Sequence, residues 1–198
     1  GKHSHINGFR KNGDQLDGSQ VTFPKLLQDA GYTTAPIAQW HLGTAPQAFD
    51  HWEILPGQGA YYNPSLRTSE GSRTVEGHCT DIVTDLSLDW LDERSKSGSE
   101  EPWLLMCQHK APHRTWMPAA RHLDLWADED LPVPDTLFDQ LEDNASGARA
   151  AEMSIDEHME IFYDLFVTDN ENNPTPGGRA LDASGIRNLG RMTEGLMI

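Results

Sequence analysis

The chain has few cysteines, few basic residues and no long apolar run. Its 198 residues include 2 cysteines, and 15 lysines and arginines stand against 31 acidic residues, a formal net charge of −16. Nucleic acids and anionic membranes are bound through clustered positive charge, so this balance excludes both classes of partner. The sequence contains no stretch of 18 apolar residues, and no membrane-spanning helix is predicted.

The two cysteines are too far apart for a zinc ribbon. Cys79 and Cys107 do not form a C-x-x-C pair, although a single disulfide between them stays possible. Because Cys107 lies in an apolar run, we predict that it is a buried thiol.

Three common catalytic motifs are also missing. The chain has no G-x-S-x-G, no G-x-x-x-x-G-K and no H-E-x-x-H. Serine-triad hydrolysis, P-loop chemistry and zinc proteolysis therefore have no basis in the sequence.

The apolar pattern in the first half of the chain predicts α/β structure. Thr22 can cap a helix over 23–30, and a strand is expected over 34–38, where Pro36 implies an edge position or a bulge. A second helix is expected after Thr80. Its apolar face is formed by Ile82, Val83, Leu86, Trp90 and Leu91.

A continuous apolar run at 103–107 is typical of a strand covered on both faces. Strand, helix and strand in this order predict a mostly parallel sheet. Residues 56–77, by contrast, look loop-like, the prolines predict extended chain at 131–134, and 168–188 read as a long surface loop. We expect one domain over 1–198, with ordered α/β structure over about 20–165.

Histidines follow each of the two predicted strands. His41 comes after the first strand, and Lys110 and His113 come after the second. Loops at the carboxyl ends of parallel strands meet at one crevice, so these side chains could converge on one anionic group. An ordinary structural role for each histidine stays open. His109 and His113 are four residues apart, but the intervening Pro112 argues against a helical metal pair, and no metal ligands are predicted.

Several segments resemble the sulfatase family of the alkaline-phosphatase-like superfamily. Residues 1–9 are similar to the piece that follows the family's C/S-x-P-S-R nucleophile motif, and 37–43 (I-A-Q-W-H-L-G) resemble G-K-W-H-L-G. Residues 108–114 match Q-H-K-A-P-H-R, and 55–64 match bacterial members. Shorter matches occur at 22–24 and 31–35. The resemblance extends over most of 1–165 and implies a partial alkaline-phosphatase-like sheet flanked by helices with long loops.

The resemblance implies hydrolysis of a sulfate ester or sulfamate in sulfated glycans. It assigns catalytic roles to His41, which would assist release of sulfate from formylglycine, and to His113, which would donate toward the leaving oxygen. Lys110 and the residue at position 39 would bind substrate. The implied cofactors are a formylglycine formed upstream of residue 1 and a calcium ion, whose ligands we expect outside this chain.

Two departures from the family pattern set the alternatives. Gln39 stands where the family has a lysine, so a charged contact to sulfate is replaced by a neutral amide. The chain opens after the nucleophile motif and lacks both acidic metal-binding pairs, so we expect an interior fragment that is inactive alone. The alternative is a non-catalytic pseudo-sulfatase that binds sulfated ligands, and a phosphatase or phosphodiesterase of the same superfamily is a third option. By resemblance we expect a periplasmic or extracellular location.

Overall fold

The computed structural model describes residues 1–122 and 144–150, with the single positions Leu125, Pro132 and Asp135. The chain divides into two compact units, Gly1–Pro112 and His113–Ile198. The single domain expected over 1–198 stays a prediction. The expectations for 131–134, apart from Pro132, and for 168–188 concern positions outside the described residues.

The first unit contains three helices and five strands. The helices are α1 (Ser4–Asn7), α2 (Phe23–Asp29) and α3 (Cys79–Ser97). The strands are β1 (Thr33–Trp40), β2 (Glu53–Pro56), β3 (Ser65–Thr68), β4 (Gly71–Thr74) and β5 (Trp103–Gln108). In the described part of the second unit, a 3₁₀ turn spans Ala120–His122 and α4 spans Ser146–Arg149.

The strands form one sheet in the order β4-β3-β2-β1-β5. Both neighbours of β1 run parallel to it, whereas β2, β3 and β4 pair antiparallel in succession. The predicted α/β class and mostly parallel sheet are confirmed. The loop-like reading of 56–77 was wrong, because β3 and β4 form a hairpin there. These short, polar strands bury only Leu66, so they show no alternating pattern that a sequence could reveal.

Pro36 was expected at an edge or a bulge, but β1 is an interior strand and Pro36 is fully buried. It stands opposite Met106 of β5, and the pairing of β1 with β2 begins only at Ile37. At the level of Pro36, therefore, only one side of β1 has a strand partner. Since a proline lacks an N–H, it can occupy an interior strand at a level where one ladder has not yet begun.

The predicted apolar face of α3 packs on this sheet. Ile82, Val83 and Trp90 are buried in one cluster, against which Leu86 and Leu91 pack. The other members of the buried cluster are Ala35, Ile37, Leu55, Leu66 and Cys79. The helix begins at Cys79, where the His78 ring accepts a hydrogen bond from the Thr80 N–H at 3.3 Å. The cap is therefore His78 and not Thr80.

The two cysteines are free thiols in opposite environments. Cys79 is buried, whereas Cys107 is exposed, so the prediction for Cys107 was wrong. The reason is the position of β5 at the edge of the described sheet, where Trp103 is also 50% exposed. An apolar run indicates a strand but not which neighbours cover it. In the described residues, no helix is long and apolar enough to cross a membrane.

Candidate active site

His41 lies in the loop directly after the interior strand β1. The loop is anchored to the N-terminal segment, because the Leu16 N–H donates to the Leu42 carbonyl at 2.9 Å. Gly43 has a φ of +72°, and a Cβ there would lie 2.8 Å from the backbone oxygen of Asp14. Only glycine combines a left-handed backbone with so close an approach, so Gly43 determines the path of the chain after His41.

Trp40 stabilises the same loop through a hydrogen bond and a ring contact. Its indole N–H donates to the Thr44 carbonyl at 2.6 Å, and its ring meets Phe49 edge-on with centroids 6.2 Å apart. This bond holds Thr44 against the end of β1. The tryptophan therefore fixes the short turn that carries His41.

A cavity of about 350 Å³ opens at the carboxyl end of β1. Gln39, Trp40 and His41 line it from β1 and its loop, and Met106 and Gln108 line it from the adjacent β5. The start of α2 forms a further wall with Thr22, Phe23, Pro24 and Lys25. The location agrees with the rule that ligands bind beyond the carboxyl ends of parallel strands.

The charges around the cavity differ from those of the chain as a whole. The described residues that line it include one lysine and one histidine but neither an aspartate nor a glutamate. The chain as a whole has a formal net charge of −16. A lining without carboxylates suits an anionic ligand, because like charges in a partly buried site are costly.

Gln39 is half-buried at the wall of this cavity. Its side-chain amide donates to the carbonyl of Gly57 at 3.0 Å. Gly57 follows β2, so the amide links the ends of β1 and β2. One of the two amide hydrogens is thus engaged within the protein, and the position carries no positive charge.

Lys110 lies in the same unit but does not line the cavity. It is 6% exposed, and its ammonium stands 4.7 Å from the centre of the Tyr61 ring. Burial lowers the pKa of Lys110, although the neighbouring Cys79 acts in the opposite direction. Burial also raises the pKa of Cys79, and it raises that of Tyr61 to about 12. Lys110 therefore sits among groups that favour their neutral forms.

His113 is exposed and begins the second unit, where its Nδ1 contacts the Arg114 carbonyl. Of the four residues predicted for the site, Gln39 and His41 share one cavity, and Lys110 lies beside Tyr61. The catalytic and substrate-binding roles of all four stay predictions.

Sequence reasoning missed the wall contributed by α2. A helix that precedes a parallel strand runs back across the sheet, so its first turn lies beside the strand's carboxyl end. Thr22 and Lys25 reach the cavity in this way, and the predicted helix bounds already contained that signal. Sequence reasoning also missed Gln108, which lines the cavity from the end of β5 and stands two residues before Lys110.

The described residues do not fit a metal ion by themselves. Among residues 1–122 and 144–150, no three His, Cys, Asp or Glu side chains group in a way that could hold one. The chain also contains no C/S-x-P-S-R motif. Neither calcium nor formylglycine is assigned to these residues.

Comparisons with known proteins define the class. The sequence model of the sulfatase family matches residues 2–175, and the chain belongs to this family of hydrolases. An N-acetylglucosamine-6-O-sulfatase of Bacteroides thetaiotaomicron is 46% identical over 175 residues, which cover 86% of this chain and 31% of that protein. The human N-acetylglucosamine-6-sulfatase is 30% identical over 118 residues, 51% of this chain and 21% of that protein.

A solved structure also shares both the fold and much of the sequence. BT4656 in complex with its substrate D-glucosamine-2-N,6-O-disulfate superposes with a TM-score of 0.80 and 39% identity, over 96% of this chain and 40% of that one. Ps i-CgsB, at 13% identity and a TM-score of 0.51, shows the fold alone. The chain spans 31% of the length of the Bacteroides relative and 40% of the BT4656 structure.

Proposed function

We propose that the full-length protein containing this chain is a sulfuric ester hydrolase that removes the 6-O-sulfate of glucosamine units in sulfated glycans. The observation that carries the proposal is the 46% identity to an N-acetylglucosamine-6-O-sulfatase over 86% of the chain. Support comes from the similar structure, whose substrate is a glucosamine disulfate. Within the part of the chain that the structure describes, no carboxylate lines the cavity beside His41, and such a lining suits the sulfate anion.

In this proposal the reaction breaks the bond between sulfur and the sugar oxygen. Water supplies the oxygen that sulfur gains, and the sugar oxygen leaves with a proton as an alcohol. Negative charge develops on that leaving oxygen, so a positioned proton donor lowers the barrier. The resemblance assigns this role to His113, and it assigns release of sulfate to His41.

Calcium and formylglycine belong to the proposal only as parts of the full-length protein. In the sulfatase family, calcium holds the sulfate and formylglycine supplies the nucleophile. The described residues do not fit a metal ion, so no step is assigned to calcium here. A periplasmic or extracellular location is likewise a proposal, which fractionation of cells that express the full-length protein would test.

The test is release of sulfate by the full-length protein from matched sugars. N-acetylglucosamine-6-sulfate is expected to be hydrolysed, and N-acetylgalactosamine-6-sulfate and glucosamine-2-N-sulfate serve as controls for the sugar and for the sulfate position. Ion chromatography of free sulfate gives the rates. Turnover of either control at the rate of the first substrate would overturn the assignment to glucosamine-6-sulfate.

A non-catalytic sulfatase that only binds sulfated ligands is the second candidate. Gln39 favours it, because a neutral amide bonded to Gly57 occupies a position where the family has a lysine. Hydrogen bonds to charged groups are stronger than neutral ones by roughly 1 to 2 kcal/mol, which corresponds to a change in rate of about five- to thirtyfold.

The variant Gln39→Lys separates the two candidates. If the protein is a weakened enzyme, kcat/KM for N-acetylglucosamine-6-sulfate should rise about tenfold or more. Gln39→Met is the matched control, since it removes the amide without adding charge. An absence of turnover in both the parent and the lysine variant, with binding retained, would favour the non-catalytic candidate.

A further inference from the structure

One lysine outside the predicted site lines the cavity beside His41. Lys25 lies in the first turn of α2 and is half-buried. Its ammonium donates to the backbone carbonyls of Gly18 and Gln20, the latter at 3.1 Å. Gly18 and Lys25 both line the cavity, so the ammonium is bonded to a segment of the cavity wall.

The hydrogen bonds of Lys25 leave room for a ligand. An ammonium has three donors, and two are taken by the carbonyls of Gly18 and Gln20. Both partners are neutral, so they position the charge without cancelling it. Within residues 1–122 and 144–150, no carboxylate lies within ion-pair distance of Lys25.

The Asp17 carboxylate is influenced by the charge of Lys25 but is already hydrogen-bonded to Ser19. The pKa of Asp17 is lowered by hydrogen bonds from the Ser19 side chain and backbone, to which the charges of Lys25 and Lys2 add. The Ser19 bonds to the Asp17 carboxylate measure 2.7 and 2.9 Å. Asp17 does not line the cavity. Apart from Lys25 and His41, the described residues that line the cavity carry neutral side chains.

We propose that Lys25 is a sulfate-binding residue that supplies the positive charge that Gln39 lacks. The inference rests on the proposed function, because the ligand is taken to be a sulfated glucosamine. In a chain with a net charge of −16, an anion can bind only where a local cation offsets the repulsion. The sulfate concerned is the 6-O-sulfate or a second one, such as an N-sulfate, and both have the same oxyanion chemistry.

The test uses Lys25→Gln in the full-length protein with two probes. N-acetylglucosamine-6-sulfate and D-glucosamine-2-N,6-O-disulfate are titrated, and KM is measured if they are hydrolysed and Kd if they are not. We expect KM or Kd to rise about tenfold, the value of one charged hydrogen bond. The kcat should change little, because the contact is present before and during the reaction.

Three controls separate charge from structure. Lys25→Arg should restore most of the binding, and the effect of Lys25→Gln should shrink at high salt. Lys96→Gln removes a lysine whose side chain is 73% exposed, and it should leave both constants unchanged. Thermal melting of each variant reports whether the loss of the Gly18 and Gln20 bonds has unfolded the segment.

Each outcome decides the proposal. Weaker binding of both probes places Lys25 on the 6-O-sulfate, and weaker binding of the disulfate alone places it on the N-sulfate. Hydrolysis with unchanged constants in a folded Lys25→Gln variant overturns the inference and leaves the proposed function standing. Lys25-dependent binding without hydrolysis overturns the proposed function alone. If the parent binds neither probe, both fail.

Discussion

At the scale of single residues, Lys25 and Lys110 differ in the groups that surround their ammonium ions. Lys25 holds its ammonium at a cavity wall through two carbonyls, whereas Lys110 is buried over the ring of Tyr61. The sequence singles out only Lys110, because it belongs to a recognisable motif. Lys25 lies in the short helix α2 and belongs to no such motif, and its position at the cavity follows from where that helix lies against β1.

The contact between Lys110 and Tyr61 should stabilise the fold measurably. A partly desolvated cation over an aromatic ring contributes about 1 to 2 kcal/mol, so we expect a coupling energy in this range between Lys110→Met and Tyr61→Leu. Urea denaturation of the full-length protein and the three variants gives the double-mutant cycle. The pair Lys96→Met and Tyr61→Leu is the control. Additive effects of Lys110→Met and Tyr61→Leu would show that the ring contributes nothing to holding the lysine.

At the scale of elements, the end of β1 and its loop form one wall of the cavity. A Cβ on Gly43 would lie 2.8 Å from the backbone oxygen of Asp14, because the loop passes close to the N-terminal segment at this position. Gly43→Ala should cost about 1 to 2 kcal/mol for the left-handed backbone alone and more for the clash, and it should displace His41. The measurements are thermal melting and kcat/KM of the full-length protein.

The matched control for Gly43 is Gly98, which ends α3. Gly98 has a φ of +65° but nothing within 4 Å of a Cβ. Gly98→Ala should therefore show the backbone cost without the clash and without loss of activity. If both variants lose equal stability and neither loses activity, Gly43 has no role in placing His41.

Asp50 joins α2 to the start of β1. Its carboxylate accepts from the Thr34 N–H at 2.7 Å, the Thr34 hydroxyl at 3.0 Å and the Gln28 amide at 3.0 Å. Burial acts to raise the pKa of Asp50, but these hydrogen bonds outweigh it and the pKa is lowered. A lowered folded-state pKa stabilises the fold above the ordinary value of 3.8, and that stability is lost as the pH falls through the folded-state pKa.

The pH dependence of melting tests this assignment. The melting temperatures of the parent and Asp50→Asn should differ most above pH 5 and converge as the pH falls below 3.8. Asp29→Asn, at the exposed end of α2, is the control. A difference that stays constant from pH 6 to pH 3 would contradict a role for the Asp50 charge.

At the scale of the whole molecule, the chain belongs to the sulfatase family and spans 31% of the curated Bacteroides relative and 40% of the similar solved structure. The 198-residue chain alone is expected to show no turnover of an aryl sulfate in the presence of calcium. The physical reason is that its described residues group no metal ligands and its sequence contains no nucleophile motif. A calcium-dependent release of the phenol above the buffer rate would contradict this expectation.

The sequence by itself determined the family, the α/β class and the residues at the end of β1. Long apolar faces and specific motifs are local properties, so the faces of α3 and the segment around His41 could be read directly. Only the tertiary structure decided that β1 is interior despite Pro36, that Cys107 is exposed and that polar residues form β3 and β4. It also brought Lys25 to the cavity and set Lys110 beside Tyr61. These features depend on which elements become neighbours, and contacts between residues distant in sequence leave no local pattern.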